Sequence, residues 1–324
     1  MAGTFSVFQK ELADHFANKR FLLLFGMILL LSTASAYQGA NYMKENANSN
    51  FLAIFSQGMN GSSFTSLMVL FGPLLGLSLS FDTINKERKS GSLSTVLTQP
   101  IFRDSIINGK FLAGATALTI AVLGTICINL GISIPLLGYG PTGTQAMAMV
   151  VLSLITILYL CFWLAVGLLF SVVCKDTSTS ILASVATWAT FSILIFIFAG
   201  FLTDLLMPMQ RINIATFGQN ATGGFTSVQM DPSAMQARNA LETGISRISP
   251  AYLYSEIATK LTGAAGGSFT GFRISISFWQ GQTFSLTEAL VGSWPQIVAI
   301  AVGLVACFAA SYALFLRSEI RPQS

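Results

Sequence analysis

Ionic side chains are scarce in this sequence. Only 9% of its 324 residues are Asp, Glu, Lys or Arg, whereas 53% are hydrophobic. Soluble domains carry roughly a quarter charged residues, since ionic groups cover their water-facing surface. So few ionic groups cannot cover the surface of a chain of this size, which excludes an ordinary soluble protein. We therefore predict a chain whose main solvent is lipid.

Groups that perform chemistry are also few. The sole histidine, His15, excludes an HExxH metalloprotease motif, and we interpret it as an interfacial polar group and not as a base. The single Gly-Lys pair, Gly109-Lys110, lacks the glycine five positions earlier that a phosphate-binding P-loop requires. We predict no catalytic residue, no metal site and no cofactor in this chain, so that any energy must come from a partner.

Charged groups are missing from the middle of the apolar runs as well. Asp82, Asp176 and Asp204 lie at the ends of such runs, whereas carriers coupled to protons or sodium usually place ionisable groups at mid-membrane.

The four cysteines form no CxxC pair and are predicted to be packing residues in helices. The net charge of +4 comes mainly from bases beside the apolar runs, which is typical of membrane topology and not of nucleic-acid binding.

Six apolar runs predict six transmembrane helices and hence an all-α polytopic membrane protein. Before them, residues 1–19 predict an amphipathic helix that either lies in the headgroup plane or packs on protein. Six spans place both termini on the same side of the cell membrane. The basic residues beside the runs indicate that this is the cytoplasmic side. The runs cover residues 21–37, 64–81, 106–137, 146–174, 181–206 and 290–316.

The chain divides accordingly into three parts. Residues 1–206 hold the N-terminal helix and spans one to five, with a cytoplasmic loop at 82–107. Residues 207–289 form an extracytoplasmic region, and residues 290–324 hold span six and a cytoplasmic tail.

The extracytoplasmic region has its own structural signals. Asp231-Pro232 predicts the start of a helix and Gly244 its end, while Ser249-Pro250 predicts the start of a second helix. Apolar residues that alternate from Phe272 to Phe278 predict a strand. We expect a small α/β cap between spans five and six that dips partly into the outer leaflet.

Small and polar side chains recur inside two of the runs. Gly72, Gly76 and Ser80 are four residues apart and predict a narrow face that lets another helix approach closely. In the fifth run, Thr187 and Thr190 carry hydroxyl groups. For these hydroxyls, and for those in the third and fourth runs, we favour hydrogen bonds between helices over contacts with a substrate.

The loop after the second run carries the most informative pattern. Residues 82–89 predict a short charged helix, Gly91 predicts a break, and a second amphipathic helix then ends at Pro100. Leu93, Val96 and Leu97 form the apolar face of that second helix. Such a helix suits a groove on a cytosolic protein, whereas a loop that only joins two spans needs neither this length nor these breaks.

The loop resembles that of the permease subunits of the ABC type 2 (ABC-2) exporter family. Ser92 replaces the threonine that is usual there, and Val96 replaces the first of two paired leucines. A weaker match, to the end of the family's fourth span, runs from Gly167 through Phe170-Ser171 to Lys175-Asp176-Thr177. The loop residues that match are Asp82, Glu87-Arg88, Gly91, Leu93, Val96-Leu97, Pro100, Arg103 and Gly109-Lys110.

The resemblance covers most of the chain but fails over residues 207–288, a region longer than in compact members. Subgroups with enlarged outer regions include the Nos-type permease of nitrous oxide reductase maturation and sodium-exporter-like permeases. The sequence pattern fits both subgroups.

The resemblance implies a homodimer of permeases in membrane lipid, moved by cytosolic ABC ATPase subunits that bind the ATP and Mg. The pathway would lie between facing copies of spans two and five, which carry Gly72, Gly76, Ser80, Thr187 and Thr190. Two other functions stay open: a non-transporting scaffold that recruits an extracytoplasmic protein at residues 207–289, and an ATP-independent channel or carrier. The implied ATPase-coupling residues are Asp82, Glu87, Arg88, Gly91, Leu93, Leu97, Pro100, Arg103, Lys175 and Asp176.

Overall fold

The computed structural model describes residues 2–45, 50–56, 63–89, 103–208, 213–214, 227–228, 232–263, 268–270, 273–275 and 285–317. Helices dominate this part of the chain. In the N-terminal half they are α1 (Ala2–Ala17), α2 (Lys19–Glu45), α3 (Ala53–Ser56), α4 (Phe64–Leu70), α5 (Gly72–Ser80), α6 (Asn85–Lys89) and α7 (Arg103–Leu137). Then follow α8 (Gly143–Val173), α9 (Thr177–Ala189), a π-helical segment (Thr190–Leu194) and α10 (Ile195–Leu206). The remaining elements are β1 (Asn213–Ile214), β2 (Ser227–Val228), α11 (Pro232–Ser246), α12 (Pro250–Thr262), β3 (Ser268–Thr270), β4 (Arg273–Ser275), α13 (Leu286–Val291) and α14 (Trp294–Arg317).

The predicted spans correspond to these helices. Among the described residues, five helices are long and apolar enough to cross a membrane, and a bent pair of helices makes a sixth candidate. Spans one, three, four and six are α2, α7, α8 and α14; span two is α4 with α5, and span five is α9 with the π-helical segment and α10. The prediction of an all-helical membrane architecture is confirmed at this level. Helix α7 contains Pro135 and continues through it to Leu137.

Span two bends by 42° between α4 and α5. Pro73 stands at the start of α5 and has no N–H, so the carbonyl of Val69, four residues earlier, loses its partner within the helix. The bend is therefore caused by the proline and lies at Phe71, which ends α4 and precedes α5.

Span five is interrupted as well. In the π-helical segment the hydrogen bonds lengthen by one residue, and the N–H of Ile195 donates to the carbonyl of Thr190, five positions earlier. Such a segment inserts one residue into a turn and leaves a backbone carbonyl without its regular partner.

Helix α8 forms the centre of the bundle. Two thirds (67%) of its most apolar stretch is buried inside the protein, against 11–33% for the other four long apolar helices. Helices α5, α7, α9 and α14 pack around it, and its Tyr159 and Trp163 are fully buried. The outer helices therefore keep broad apolar faces free for lipid, as the composition requires.

Helix α12, the second helix of the region 207–289, does not belong to a separate cap. The predicted start of α12 is confirmed: Ser249 caps it, and Leu253, Ile257 and Leu261 face the core. Helix α12 packs on α4, α8 and α14, and the ring of Tyr254 stacks on Tyr159 of α8 at 4.6 Å. Helix α12 is therefore part of the main core.

Two details of the same region differ from expectation. Helix α11 continues past Gly244 to Ser246, because a glycine inside a helix weakens it without having to end it. The short strands pair as antiparallel hairpins, β1 with β2 and β3 with β4. Of the strand predicted from Phe272 to Phe278, residues 273–275 form β4, whereas Phe272 and residues 276–278 lie outside the described residues.

Helix α1 packs on protein along one face. Glu11 and His15 are 5% and 6% exposed, whereas Phe5 on another face is 60% exposed. Of the two placements that the sequence allows for this helix, the structure favours packing on protein, and the partner is the first part of α7.

Candidate functional site

A buried lysine joins three helices at one end of the bundle, which we call the basal end and define by α1, α6 and the turn between α8 and α9. The Nζ atom of Lys110 on α7 lies 2.9 Å from Oε1 of Glu11 on α1 and 2.8 Å from Oε1 of Glu87 on α6. The side chain of Lys110 is 2% exposed. Because removing a charge from water is costly, this lysine requires both carboxylates as partners.

Glycine 109 explains why α1 comes so close to α7. A Cβ atom at this position would lie 2.9 Å from Cγ1 of Val7 and 3.1 Å from the carbonyl oxygen of Thr4. A side chain here would push α1 outward and separate Glu11 from Lys110. Both residues of the Gly109-Lys110 pair thus have a structural role: Gly109 allows α1 to approach α7, and Lys110 forms the buried ion pairs.

A second group of hydrogen bonds attaches the start of the loop to the turn between α8 and α9. The hydroxyl of Ser180 donates to the carbonyl of Phe81 at 2.6 Å, and the N–H of Ile84 donates to the hydroxyl of Ser171 at 2.9 Å. The side-chain amide of Asn85, oriented by its hydrogen-bonding partners, donates to the carbonyls of Ser171 and Cys174 at 2.8 and 2.7 Å. Residues 81–89 are therefore fixed to two other parts of the basal end.

The charged residues of the basal end, Lys110 and its two partners included, line an open polar cavity of about 720 Å³. Arg20 lies 3.5 Å from Asp82 on its wall, and Lys10 bridges toward Glu11 and Glu87 at 3.3 and 3.6 Å. Its lining comes from α1, the start of α2, the end of span two, α6, α7 and Thr177. The cavity is thus lined in part by α6 and α7, the two helices that the loop connects.

The two buried titratable groups of α1, Glu11 and His15, have shifted pKa values in this environment. Burial raises the pKa of the Glu11 carboxyl, but its ion pairs and hydrogen bonds with Lys110 and Lys10 outweigh burial, so the pKa lies below the usual value of 4.5. Burial lowers the pKa of His15 below 6.5, and the charge of Lys110 lowers it further, against the opposite effects of Glu11 and Asp14.

The lowered pKa of His15 predicts a pH dependence. In the unfolded chain His15 takes up a proton near pH 6.5, whereas in the folded chain it does so only at a lower pH. The free energy of unfolding is therefore unaffected by His15 above pH 6.5 and decreases as the pH falls through that value. We expect the apparent melting temperature in detergent to fall between pH 7.5 and 5.5. His15→Gln should flatten this part of the curve, whereas the Glu11 contribution would be lost only below pH 4.5. An unchanged slope in His15→Gln would contradict the assignment.

The structure places the other predicted coupling residues as follows. Asp82 and Glu87 line the basal cavity, and Arg88 is half-buried on α6. Lys175 and Asp176 are exposed in the turn between α8 and α9, where Asp176 immediately precedes α9. Arg103 begins α7, and its side chain lies outside the described part. Gly91, Leu93, Leu97 and Pro100 lie outside the described residues.

The predicted packing face of span two lies against α8. A Cβ atom on Gly76 would meet the backbone of Leu160 and Leu164, and one on Gly72 would meet the side chain of Leu160. Ser80 lies opposite Gly167 of α8.

The expectation that the span hydroxyls bond between helices is wrong for most of them. Thr187 and Thr190 each donate to a carbonyl four residues earlier in their own helix, both at 2.8 Å. Thr119, Thr125 and Ser153 do the same. Bonds between helices are made by Asn129 to Ser32 and by Thr156 with Tyr254.

Sequence reasoning missed Glu11 and His15 as members of the site. The available signal was their spacing: Val7, Glu11 and His15 recur every four residues, which places them on one helical face. Polar residues on the face that packs require buried partners, and Lys110 meets that need for Glu11.

Comparison with known proteins agrees with this architecture. The family model described as "ABC-2 family transporter protein" matches residues 5–320. A protein of Pseudomonas aeruginosa named "Probable ABC transporter permease protein NosY" is 32% identical over 123 residues, which are 38% of this chain and 42% of that protein. Its namesake from Stutzerimonas stutzeri is 32% identical over 135 residues, 41% of this chain and 47% of that protein. The matched segments thus span less than half the length of these relatives. Since the family model covers nearly the whole chain, this multi-pass membrane protein belongs to the ABC-2 family of transporter proteins.

Proposed function

We propose that the chain is the membrane-spanning permease subunit of an ATP-driven exporter, moved by a separate cytosolic ABC ATPase that binds at the basal end. Family membership and the names of the two relatives support a permease. In this proposal the ATPase binds the ATP and Mg, this chain binds no cofactor, and both termini lie in the cytoplasm. A second copy of the chain completes the permease within the lipid of the cell membrane.

The observation that carries the proposal is the attachment of residues 81–89 at the basal end. The segment that follows, residues 90–102, joins α6 to α7 and holds the apolar pattern of Leu93, Val96 and Leu97. Because α6 is bonded to Lys110 and to the turn between α8 and α9, a displacement of that segment would be passed to α7, α8 and α9 and not absorbed by a slack loop.

The likeness to the two NosY proteins favours a Nos-type permease over a sodium-exporter-like one. We extend the proposal accordingly: residues 207–289 present the part of the chain that contacts an extracytoplasmic partner. Helix α11 supports this role because most of its residues are exposed, while Arg238 anchors it to α10 through Asp204 and the carbonyl of Met207.

The ATPase-binding role of the loop is tested by replacing Leu93 and Leu97 together with aspartate. If the two leucines are buried against the ATPase, each contributes about 1.5–3 kcal/mol, so the double variant should lose at least about tenfold of the ATPase that co-purifies with the wild type. The measurement is the molar ratio of ATPase to permease after purification in mild detergent.

The matched control is Ser94→Asp with Thr98→Asp, which adds the same charge at the same spacing on the polar side of the predicted helix. It should retain the ATPase. Equal retention by both double variants would refute the docking helix. Absence of any ATPase from the wild-type preparation would favour the scaffold or the ATP-independent carrier.

A further inference from the structure

Spans two and five are irregular at neighbouring positions. The bend of span two lies at Phe71, and the π-helical segment of span five begins at Thr190, directly after α9. Trp188, in the last turn of α9, donates its indole N–H to the carbonyl of Leu70 at 3.2 Å. One hydrogen bond thus joins the residue just before the bend to the last turn before the π-helical segment.

Side chains from other helices satisfy the carbonyls at the bend. The carbonyl of Val69, which loses its helical partner to Pro73, accepts a hydrogen bond from the hydroxyl of Tyr159 on α8 at 3.0 Å. The carbonyl of Leu70 accepts the bond from Trp188 on α9. The angle of the bend is therefore held by α8 and α9 and not by span two alone.

The π-helical segment is held in the same way. The carbonyl of Phe191 within it accepts a hydrogen bond from the hydroxyl of Ser249. That hydroxyl also accepts the N–H of Tyr252, at 3.3 Å, as the N-terminal cap of α12. Since Ser249 is fully buried, water cannot replace either bond.

Helix α12 connects the two supports. Its Tyr254 stacks on Tyr159 with an interplanar angle of 8°, and its hydroxyl lies 2.9 Å from that of Thr156 on α8. Tyr159 holds the bend, and the first turn of α12 holds the π-helical segment. A closed ring of contacts therefore runs from the bend through Tyr159, Tyr254, Ser249 and the π-helical segment to Trp188, and back to the bend.

We propose that the bend of span two and the π-helical segment of span five form one hinge, whose two halves loosen and tighten together through α12. Each half contains a backbone carbonyl that accepts a hydrogen bond from a side chain of another helix. Tyr159 on α8 donates one of these hydrogen bonds and Ser249 at the start of α12 donates the other, and α8 and α12 are joined by the tyrosine stack. A movement that breaks one bond therefore also displaces the helix that donates the other. The part of span two packed on α8 is α5, while α4 packs on α12, so the hinge separates two differently supported halves of the span.

The test is amide hydrogen exchange on the full chain in lipid nanodiscs, followed by mass spectrometry. Tyr159→Phe removes only the hydroxyl that donates to Val69 and keeps the stack on Tyr254. Loss of one buried hydrogen bond should raise exchange in residues 70–76 by about twofold to tenfold. The proposal requires a rise in residues 190–195 as well, although Tyr159 makes no hydrogen bond to them.

The reciprocal variant is Ser249→Ala, which removes the bond to Phe191. Because coupling between two sites is mutual, it should raise exchange in residues 70–76 as well as in 190–195. Thr125→Val serves as the control, since it deletes a buried hydroxyl that bonds its own regular helix, and it should change neither segment. A rise confined to the segment beside the substitution, or no rise in either variant, would overturn the proposal.

Discussion

Lys110→Met should destabilise the protein by about 3–5 kcal/mol, the usual cost of removing one partner from a buried ion pair. Methionine has nearly the volume of lysine, so the change deletes the charge without opening a large cavity. Glu11 and Glu87, whose side chains are 7% and 15% exposed, then lose the buried cation, while the exposed Lys10 still bridges them. Their repulsion and desolvation should release α1 and α6 from α7.

Two measurements report this release. The apparent melting temperature in detergent should fall, and trypsin should cleave faster at Lys19 and Arg20, where α1 is joined to α2. Lys10→Met is the matched control: it removes an equal charge from the same cluster, but Lys10 is 61% exposed. Such an exposed pair contributes about 0–1 kcal/mol, so the control should resemble the wild type.

A triple variant separates charge from shape. Glu11→Gln and Glu87→Gln, combined with Lys110→Met, leave no buried charge and should recover much of the stability lost in the single variant. If Lys110→Met behaves like Lys10→Met, the buried cluster does not hold the basal end. If the triple variant is as unstable as the single one, packing and not charge is responsible.

The spans and their order were predictable because lipid requires long apolar helices, and hydropathy records that requirement directly in the sequence. The basal cluster was not, since Lys110 and Glu11 are separated by 99 positions. Nothing local to either residue identifies the other as its partner. The loop pattern still singled out Glu87, which belongs to this cluster, because breaks and charges are local signals.

Helix α12 shows a different limit. Its capping residue and its apolar face follow from the sequence, but an amphipathic helix of 13 residues has the same pattern whether it faces lipid headgroups or the core. The stack of Tyr254 on Tyr159 decides for the core. The threonine hydroxyls were misassigned for a similar reason: a helix offers each of them a carbonyl four residues back, and this local partner needs no second helix.

Gly76 carries the second large expected effect. A Cβ atom there would lie 2.8 Å from the carbonyl oxygen of Leu160 and 3.0 Å from the backbone nitrogen of Leu164. Backbone atoms of α8 cannot turn aside as a side chain can, so α5 must move as a unit. We expect Gly76→Ala to cost about 1–3 kcal/mol and Gly76→Leu more, measured as a fall in the apparent melting temperature.

A graded series tests whether close backbone approach is the cause. A Cβ atom on Gly72 would lie 2.7 Å from Cδ2 of Leu160, the end of a flexible side chain, so Gly72→Ala should cost less than Gly76→Ala. Gly124 on α7 has no atom within 4 Å of the added Cβ, and Gly124→Ala should be neutral or stabilising by up to about 1 kcal/mol through helix propensity. The order Gly76, Gly72, Gly124 follows only from the contact between α5 and α8, because propensity alone would make all three substitutions favourable. Equal effects at the three positions would therefore show that α5 and α8 do not pack at this distance in the membrane.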